Sequence, residues 1–102
     1  MLIDEITGRL TEAEVLCQLA EECCELAHAA LKLRRALTGN NPTPVPVDLA
    51  EAALNEELAD VMLTWAVYSR GRYPDEAIDD RLQDMAEEKA RRWLHRLKEA
   101  GE

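Results

Sequence analysis

Carboxylate side chains recur at a spacing of three residues in two separate stretches of the sequence. The first stretch contains Glu22 and Glu25, and the second contains Glu57 and Asp60. Residues three positions apart share one face of an α-helix, with Cβ atoms ~5–6 Å apart. Two facing helices that each carry such a pair would gather four carboxylates into an oxygen-rich site suited to Mg²⁺ or Mn²⁺. The sequence therefore predicts a divalent-cation site held by these four residues.

Asp60 lies in an apolar segment and is expected to need a positively charged partner. It is the only charged residue in LADVMLTWAVY, residues 58–68. A helix this apolar is expected to be buried nearly all round. A buried ionised carboxylate is costly unless it is paired, bound to a metal or neutralised by a shift of its pKa. We therefore expect Asp60 to be buried and to require a counter-charge.

The first carboxylate pair borders a predicted core stripe. The stripe consists of apolar residues at alternating steps of three and four, namely Leu16, Leu19, Cys23, Leu26, Ala30, Leu33 and Leu37. On the helical wheel, Glu22 and Glu25 lie on the flank of this stripe, whereas Glu21 points away from it. We expect the first two to border the core and Glu21 to meet solvent.

Local signals predict the elements that position these residues. Thr11 with Glu14 forms a capping box, so the first long helix should begin near Glu12, and Gly39 suits its end. The second helix should run from an Asp48 cap to about Ser69, with Gly71 ending it. The third should begin at Tyr73-Pro74-Asp75. The proline-rich segment Asn40–Pro46 predicts a connector, either a stiff crossover between antiparallel helices or a lid, and Met1–Leu10 predicts a short packing arm.

The fold class that follows is all-α. We expect an antiparallel helical bundle of about three main helices plus a short N-terminal segment, forming a single domain over residues 1–102. A chain of this size has a small core, so the bundle is expected to be completed by oligomerisation.

The third helix carries a basic group on its apolar face. The face comprises Ile78, Leu82, Met85, Ala86, Trp93 and Leu97. Lys89 falls near its middle, with Arg92 and Arg96 along its edge. Lys89 either extends its ammonium outward or forms an intersubunit salt bridge, or it meets the carboxylates or a bound anion.

Composition narrows the classes of partner and compartment. The formal net charge of −9 argues against nucleic acid. Three cysteines without metal-ligand spacing indicate reduced packing residues. No signal-peptide pattern and no apolar run of ~20 residues is present, so we expect a cytoplasmic protein with no membrane segment.

A carboxylate cluster together with a basic helix face suits metal-assisted phosphoryl or nucleotidyl transfer. Divalent cations neutralise phosphate charge and activate water, while lysine and arginine hold outer phosphates. The sequence contains no phosphate-binding glycine loop and no zinc-protease motif, and His28 and His95 are isolated.

The paired acidic motif resembles that of the MazG-like all-alpha nucleoside triphosphate pyrophosphohydrolases. The similar stretches are QLAEECCELAHAALKL and NEELADVML, and the resemblance covers roughly residues 15–97. It implies Mg²⁺-dependent hydrolysis between the α and β phosphates, giving a nucleoside monophosphate and pyrophosphate. It also implies that Glu22, Glu25, Glu57 and Asp60 are the metal ligands and that Glu21 is an outer ligand or positions water.

The same resemblance implies that Lys89 and Arg92 hold phosphates and that the chain forms a homodimer or homotetramer. The 31 residues between Glu25 and Glu57 exceed the usual gap of the family. Gln18 is a candidate base contact, together with Asn55, Trp65 and the connector, but the sequence does not specify the nucleotide.

A different class of function also accommodates the sequence. Acidic residues on helices are commonly a solvated face. The alternative is a non-catalytic helical bundle, acting as a dimerisation module or as a nucleotide-binding regulator. It explains the acidic surface well, but it explains Asp60 and Lys89 poorly.

Overall fold

The computed structural model describes residues 2–39 and 45–101, and these ranges contain helices and turns but no strand. The helices are α1 (Leu2–Thr7), α2 (Glu12–Thr38), α3 (Val47–Arg72) and α4 (Ile78–Glu99). The all-α prediction is therefore confirmed. None of these helices combines the length and apolar character that a membrane crossing requires. Most of the predicted connector, residues 40–44, lies outside the described residues.

The chain divides into two compact units, Met1–Arg72 and Tyr73–Glu102, and each is described by itself. The first unit contains α1, α2 and α3, and the second contains α4. The prediction of a single domain stays a prediction.

The ends of α2 match the sequence signals. The backbone N–H of Glu14 donates to the Thr11 hydroxyl at 3.1 Å, and that hydroxyl lies 3.0 Å from the Glu14 carboxylate. At the other end, Gly39 adopts the left-handed conformation with φ 73°, which glycine allows at no steric cost.

Two helix boundaries differ from the predictions. The helix α3 begins at Val47, so the predicted cap Asp48 lies inside its first turn, where a carboxylate favours the positive helix pole. At its other end α3 continues through Gly71 to Arg72. The helix α4 begins at Ile78, several residues after the predicted start at Tyr73.

The helices α2 and α3 pack antiparallel. Glu12, at the start of α2, lies 3.4 Å from Arg72, at the end of α3. Further along, Glu25 meets Glu57. The buried contacts are made by small and medium side chains, namely Val15, Ala29, Ala50, Thr64 and Val67. The small size of these residues lets the two backbones approach each other.

The face of α2 that packs on α3 overlaps only part of the predicted core stripe, of which Leu19, Leu26 and Leu33 are half-buried. Leu16 and Leu37 are 44% and 66% exposed, and Cys23 is also exposed. The packed face is centred near Val15 and Glu22, rotated by about 50° around the helix from the centre of the leucine stripe. The close approach over small residues decides the face, and it turns the acidic flank into the helix interface.

The prediction that α3 is buried all round is also wrong. Leu58 and Met62 are 45% and 64% exposed. The physical reason is that α2 and the short α1 cover only part of the circumference of α3. The opposite arc remains apolar and open in the described unit.

The short helix α1 packs against the C-terminal half of α3, as the predicted packing arm requires. The Thr7 hydroxyl lies 2.8 Å from the carbonyl oxygen of Ile3 and 3.3 Å from that of Val67. Asp4 forms an ion pair with Arg70 at 2.8 Å. A Cβ atom added at Gly71 would lie only 3.1 Å from the Thr7 methyl group. Glycine at this position therefore permits the close approach of α1.

We expect Gly71→Val to lower the free energy of unfolding by about 1–3 kcal/mol, because the added side chain crowds Thr7. Urea denaturation measures the change. The matched control is Thr7→Ser, which keeps the hydroxyl and removes the crowded methyl group, so the double variant should recover part of the loss. An equal loss with and without Thr7→Ser would contradict this contact.

Candidate metal centre

Three carboxylates converge between α2 and α3. One oxygen atom from each of Glu22, Glu25 and Glu57 lies within 4.8 Å of the others. Glu22 and Glu57 are half-buried, whereas Glu25 is exposed. The structure thus brings together three of the four residues that the sequence predicts as metal ligands.

Two oxygen atoms of this cluster lack a hydrogen-bond partner although they are shielded from solvent. They are Oε2 of Glu22 and Oε2 of Glu57. The other oxygen of Glu22 accepts a hydrogen bond from Nε2 of Gln18 at 2.7 Å, which fixes the carboxylate. Shielding an unpaired carboxylate oxygen costs free energy, and a cation bound there would remove that cost. The donor set, composed of carboxylate oxygens, fits a hard divalent cation.

The electrostatics of the cluster act most strongly on Glu57. Partial burial raises the pKa of its carboxyl group above the usual range, and a side-chain hydrogen bond with Glu25 raises it further. The negative charges of Glu25, Asp60 and Glu22 add to the same shift. The cluster is therefore a place where negative charge is crowded and a proton or a cation is favoured.

Asp60 lies at the rim of the cluster. Its side chain is exposed, so the prediction that it is buried is wrong. Three residues along α3 from Glu57, it is turned ~60° further from α2, which explains the exposure. It nevertheless contributes to the raised pKa of Glu57, and it lines a groove together with Glu22. Its role as a fourth metal ligand stays a prediction.

Glu21 meets solvent as the wheel predicts, and it lies outside the group of three carboxylates. The thiol of Cys17 lies 3.9 Å from its Oε1 atom, a weak contact. The cysteines Cys17, Cys23 and Cys24 are all exposed, so the prediction that they are packing residues is wrong. The same rotation of α2 that exposes Leu16 exposes Cys23.

A groove of about 350 Å³ adjoins one side of the cluster. It is lined by a positively charged side chain, Lys32, that is not among the predicted site residues. Lys32 and His28 line it together with Glu25 and Glu57. Lys32 follows Glu25 by seven residues, or about two helical turns, so it lies on the same face of α2. That spacing is the signal by which Lys32 could have been found.

A second groove, of about 190 Å³, adjoins the cluster on the side of α1. Polar groups of Gln18, Glu22 and Asp60 line it together with apolar side chains of Ile6, Leu10, Val15, Leu63 and Val67. Apolar walls with a few polar groups are typical of small-molecule sites, although this groove is small.

Lys89 and Arg92 belong to α4, in the unit that is described by itself. Within that unit they line an open surface groove with Ala86, Ala90, Trp93 and Arg96. Their predicted role in holding phosphates stays a prediction.

No family model, curated protein or solved structure matches this chain. The resemblance to the MazG-like pyrophosphohydrolases consequently rests on the motif residues alone.

The raised pKa of Glu57 makes a prediction for the metal-free protein. The folded state binds this proton more tightly than the unfolded chain does. The contribution of Glu57 to the free energy of unfolding is therefore complete below the ordinary carboxyl pKa, and it is lost as the pH rises through the raised pKa. We expect Glu57→Gln to remove this fall and to raise the denaturation midpoint at neutral pH. Urea denaturation with a chelator over a pH series measures it.

The matched control is Glu56→Gln, which removes a carboxylate from the neighbouring exposed position. The control should leave the pH profile unchanged. A profile that keeps its full slope in Glu57→Gln would show that Glu57 is not the group responsible.

Proposed function

We propose that the chain is a Mg²⁺-dependent nucleoside triphosphate pyrophosphohydrolase. It would cleave a ribo- or deoxynucleoside triphosphate between the α and β phosphates and release a nucleoside monophosphate and pyrophosphate. The observation that supports the proposal is the cluster of three carboxylates with two shielded oxygen atoms that lack partners. Mn²⁺ is the alternative cation, because the same oxygen ligands suit it.

Glu22, Glu25 and Glu57 would hold the cation, with Asp60 as the ligand at the rim. When bound, the cation would neutralise phosphate charge and activate water. Gln18 would keep the Glu22 carboxylate in position through its hydrogen bond of 2.7 Å. Glu21, on the outer side of α2, is proposed as an outer ligand or as a group that positions water.

The two grooves beside the cluster suit different parts of a nucleotide. The groove that contains Lys32 and His28 offers positive charge for the outer phosphates. The groove beside α1 offers apolar walls for the nucleoside, and Gln18 at its edge is the candidate base contact. Lys89 and Arg92 remain proposed phosphate contacts from the motif resemblance.

A homodimer or homotetramer is part of the proposal. The unit of α1, α2 and α3 exposes many large apolar side chains, among them Leu16, Leu31, Leu37, Leu58, Met62 and Leu63. Exposed apolar surface on this scale is typical of an interaction face. We further propose that the protein acts in the cytoplasm, where its substrates are found.

The second candidate is a non-catalytic module for dimerisation or for nucleotide-dependent regulation. The extent of exposed apolar surface and the exposure of Asp60 favour it. The two candidates differ in whether the carboxylate cluster supports turnover.

We expect purified protein with Mg²⁺ to release pyrophosphate from at least one common nucleoside triphosphate. Glu57→Gln and Asp60→Asn should each lower kcat/KM by about 100-fold or more, because each removes a proposed metal ligand. Coupled detection of pyrophosphate, with chromatography of the monophosphate product, measures both products. Glu56→Gln is the control and should retain activity.

Substitution of Lys32 separates phosphate binding from metal binding in the same assay. Lys32→Met should raise KM more than it lowers kcat. Absence of turnover with every common nucleoside triphosphate would contradict the enzyme proposal and favour the regulatory module. Equal activity in Glu57→Gln would contradict the proposed site.

A further inference from the structure

The cysteines of α2 are exposed, and packing does not explain their presence. Cys17, Cys23 and Cys24 all have free thiols at the surface of the first unit. Unpaired cysteine is among the most frequently buried residue types in proteins, because it behaves as a small apolar side chain. Three exposed thiols on one helix therefore need another explanation.

Two of these thiols share one side of α2 with a carboxylate and an imidazole. Cys17, Glu21, Cys24 and His28 follow one another at steps of four, three and four residues. At ~100° per residue, their side chains fall within about 60° of one another around the helix. All four residues are exposed. Together they form the thiol stripe of α2.

The thiol stripe lies on the open side of α2 in the first unit. Its centre is about 140° around the helix from the packed face near Val15 and Glu22. The stripe is therefore a different surface from the carboxylate cluster, which lies between α2 and α3. His28 also lines the groove that contains Lys32.

Donor atoms four residues apart on this stripe approach the separation that a bound ion requires. The Sγ atom of Cys17 lies 3.9 Å from Oε1 of Glu21. Tetrahedral zinc holds a thiolate sulfur at ~2.3 Å and a carboxylate oxygen at ~2.0–2.2 Å, so two such ligand atoms stand roughly 3.6 Å apart. The step of four residues thus brings two donors of this stripe close to the spacing across one ion.

Cys24 and His28 stand at the same step and are the stronger pair of donors. The step differs from the short cysteine spacing of zinc-binding loops, but it suits a helix, on which two ligands four residues apart can bind one zinc ion. Thiolate and imidazole are common zinc ligands, whereas Mg²⁺ prefers oxygen. Glu21 precedes Cys24 by three residues on the same stripe, so its carboxylate is within reach as a third donor.

We propose that the thiol stripe binds a zinc ion through Cys24, His28 and Glu21, with water at the fourth position. Three protein ligands with one open position form a recognised arrangement for zinc. The ligand from Cys24 is the thiolate, so binding releases the thiol proton to solvent. The site differs in position and in ligand chemistry from the carboxylate cluster. A Glu21 carboxylate bound to zinc here does not serve that cluster at the same time.

The exposure of the ligands determines how the site should behave. Binding orders side chains that are free in solvent, and this ordering costs conformational entropy. We therefore expect a lower affinity than that of a closed site with four protein ligands. Mg²⁺ should not compete for the stripe, because thiolate is a poor ligand for a hard cation.

Co²⁺ is the probe for this site, because it replaces zinc and shows a sulfur-to-metal charge-transfer band in the near ultraviolet when thiolate binds it. The full-length chain, reduced and saturated with Mg²⁺, is titrated with Co²⁺ and then with Zn²⁺. We expect the band to appear with Co²⁺ and to be removed by Zn²⁺. It should fade as the pH falls, because protons compete with the metal for the thiolate.

Cysteine variants provide a matched comparison. Cys24→Ser should abolish the band, whereas Cys23→Ser, the same substitution one residue away and about 100° around the helix, should leave it unchanged. His28→Gln and Glu21→Gln should each lower the affinity for Co²⁺ at least about tenfold, since even second-shell partners are worth about 10–100-fold. Glu57→Gln should keep the band, because the carboxylate cluster is not involved. Circular dichroism checks that each variant keeps its helix content.

Absence of the band in the unsubstituted chain would overturn the proposal. So would bands of equal strength in Cys24→Ser and Cys23→Ser, or a band that is lost in Cys17→Ser but kept in Cys24→Ser. Loss of the band in Glu57→Gln would assign the ion to the carboxylate cluster and would equally contradict the stripe. None of these measurements requires turnover, so this proposal and the proposed activity can fail independently.

Discussion

The close approach of three carboxylates where α2 packs on α3 is the central electrostatic constraint on the first unit. The helices approach closely because Val15, Ala29 and Ala50 are small, and that approach brings Glu57 to Glu22 and Glu25. The pKa of Glu57 is raised first by partial burial of its carboxyl group and then by its hydrogen bond with Glu25 and the neighbouring negative charges. A protein that holds these carboxylates together in its native state gains stability from any cation that binds there. The packing and the proposed chemistry therefore share one physical origin.

The sequence predicted most of the carboxylate cluster but not the surface on which it lies. The spacing of Glu22, Glu25 and Glu57 was sufficient to place them on facing helices, and the capping residues of α2 marked its ends. The helical wheel located the centre of the leucines, whereas the packed face is selected by where the backbones approach most closely. This difference explains why Leu16 and Cys23 are exposed and why Glu22 is half-buried.

Asp60 shows a second limit of sequence patterns. Its apolar neighbourhood indicates that the helix seeks burial, but composition does not say how many partners cover the helix. In the described unit α3 has two helical neighbours, and the arc that contains Met62 stays open. Asp60 is consequently a rim residue that influences Glu57 by its charge. Lys32 was not predicted, because a lysine on the flank of a helix is an ordinary surface residue in the sequence. Only the structure shows that it lines a groove beside the carboxylates.

Exposed apolar side chains on both units support the proposal that the chain forms an oligomer. Hydrophobic residues make up 47% of the sequence, yet among the described residues the buried hydrophobic side chains are Val15, Ala29, Ala50, Val67 and Ile78. A core this small stabilises a chain of 102 residues only weakly. The homo-oligomer proposed above would supply further apolar contact for these exposed side chains.

The most direct measurement is the thermal unfolding midpoint with and without saturating Mg²⁺ or Mn²⁺. A cation that binds only the native state at 100 times its Kd adds ~2.7 kcal/mol, which for a small domain raises Tm by roughly 10 °C. We expect that rise in the unsubstituted chain and in Glu56→Gln, and a much smaller rise in Glu57→Gln. An unchanged Tm in the unsubstituted chain, or an equal rise in Glu57→Gln, would contradict a cation site formed by the three carboxylates.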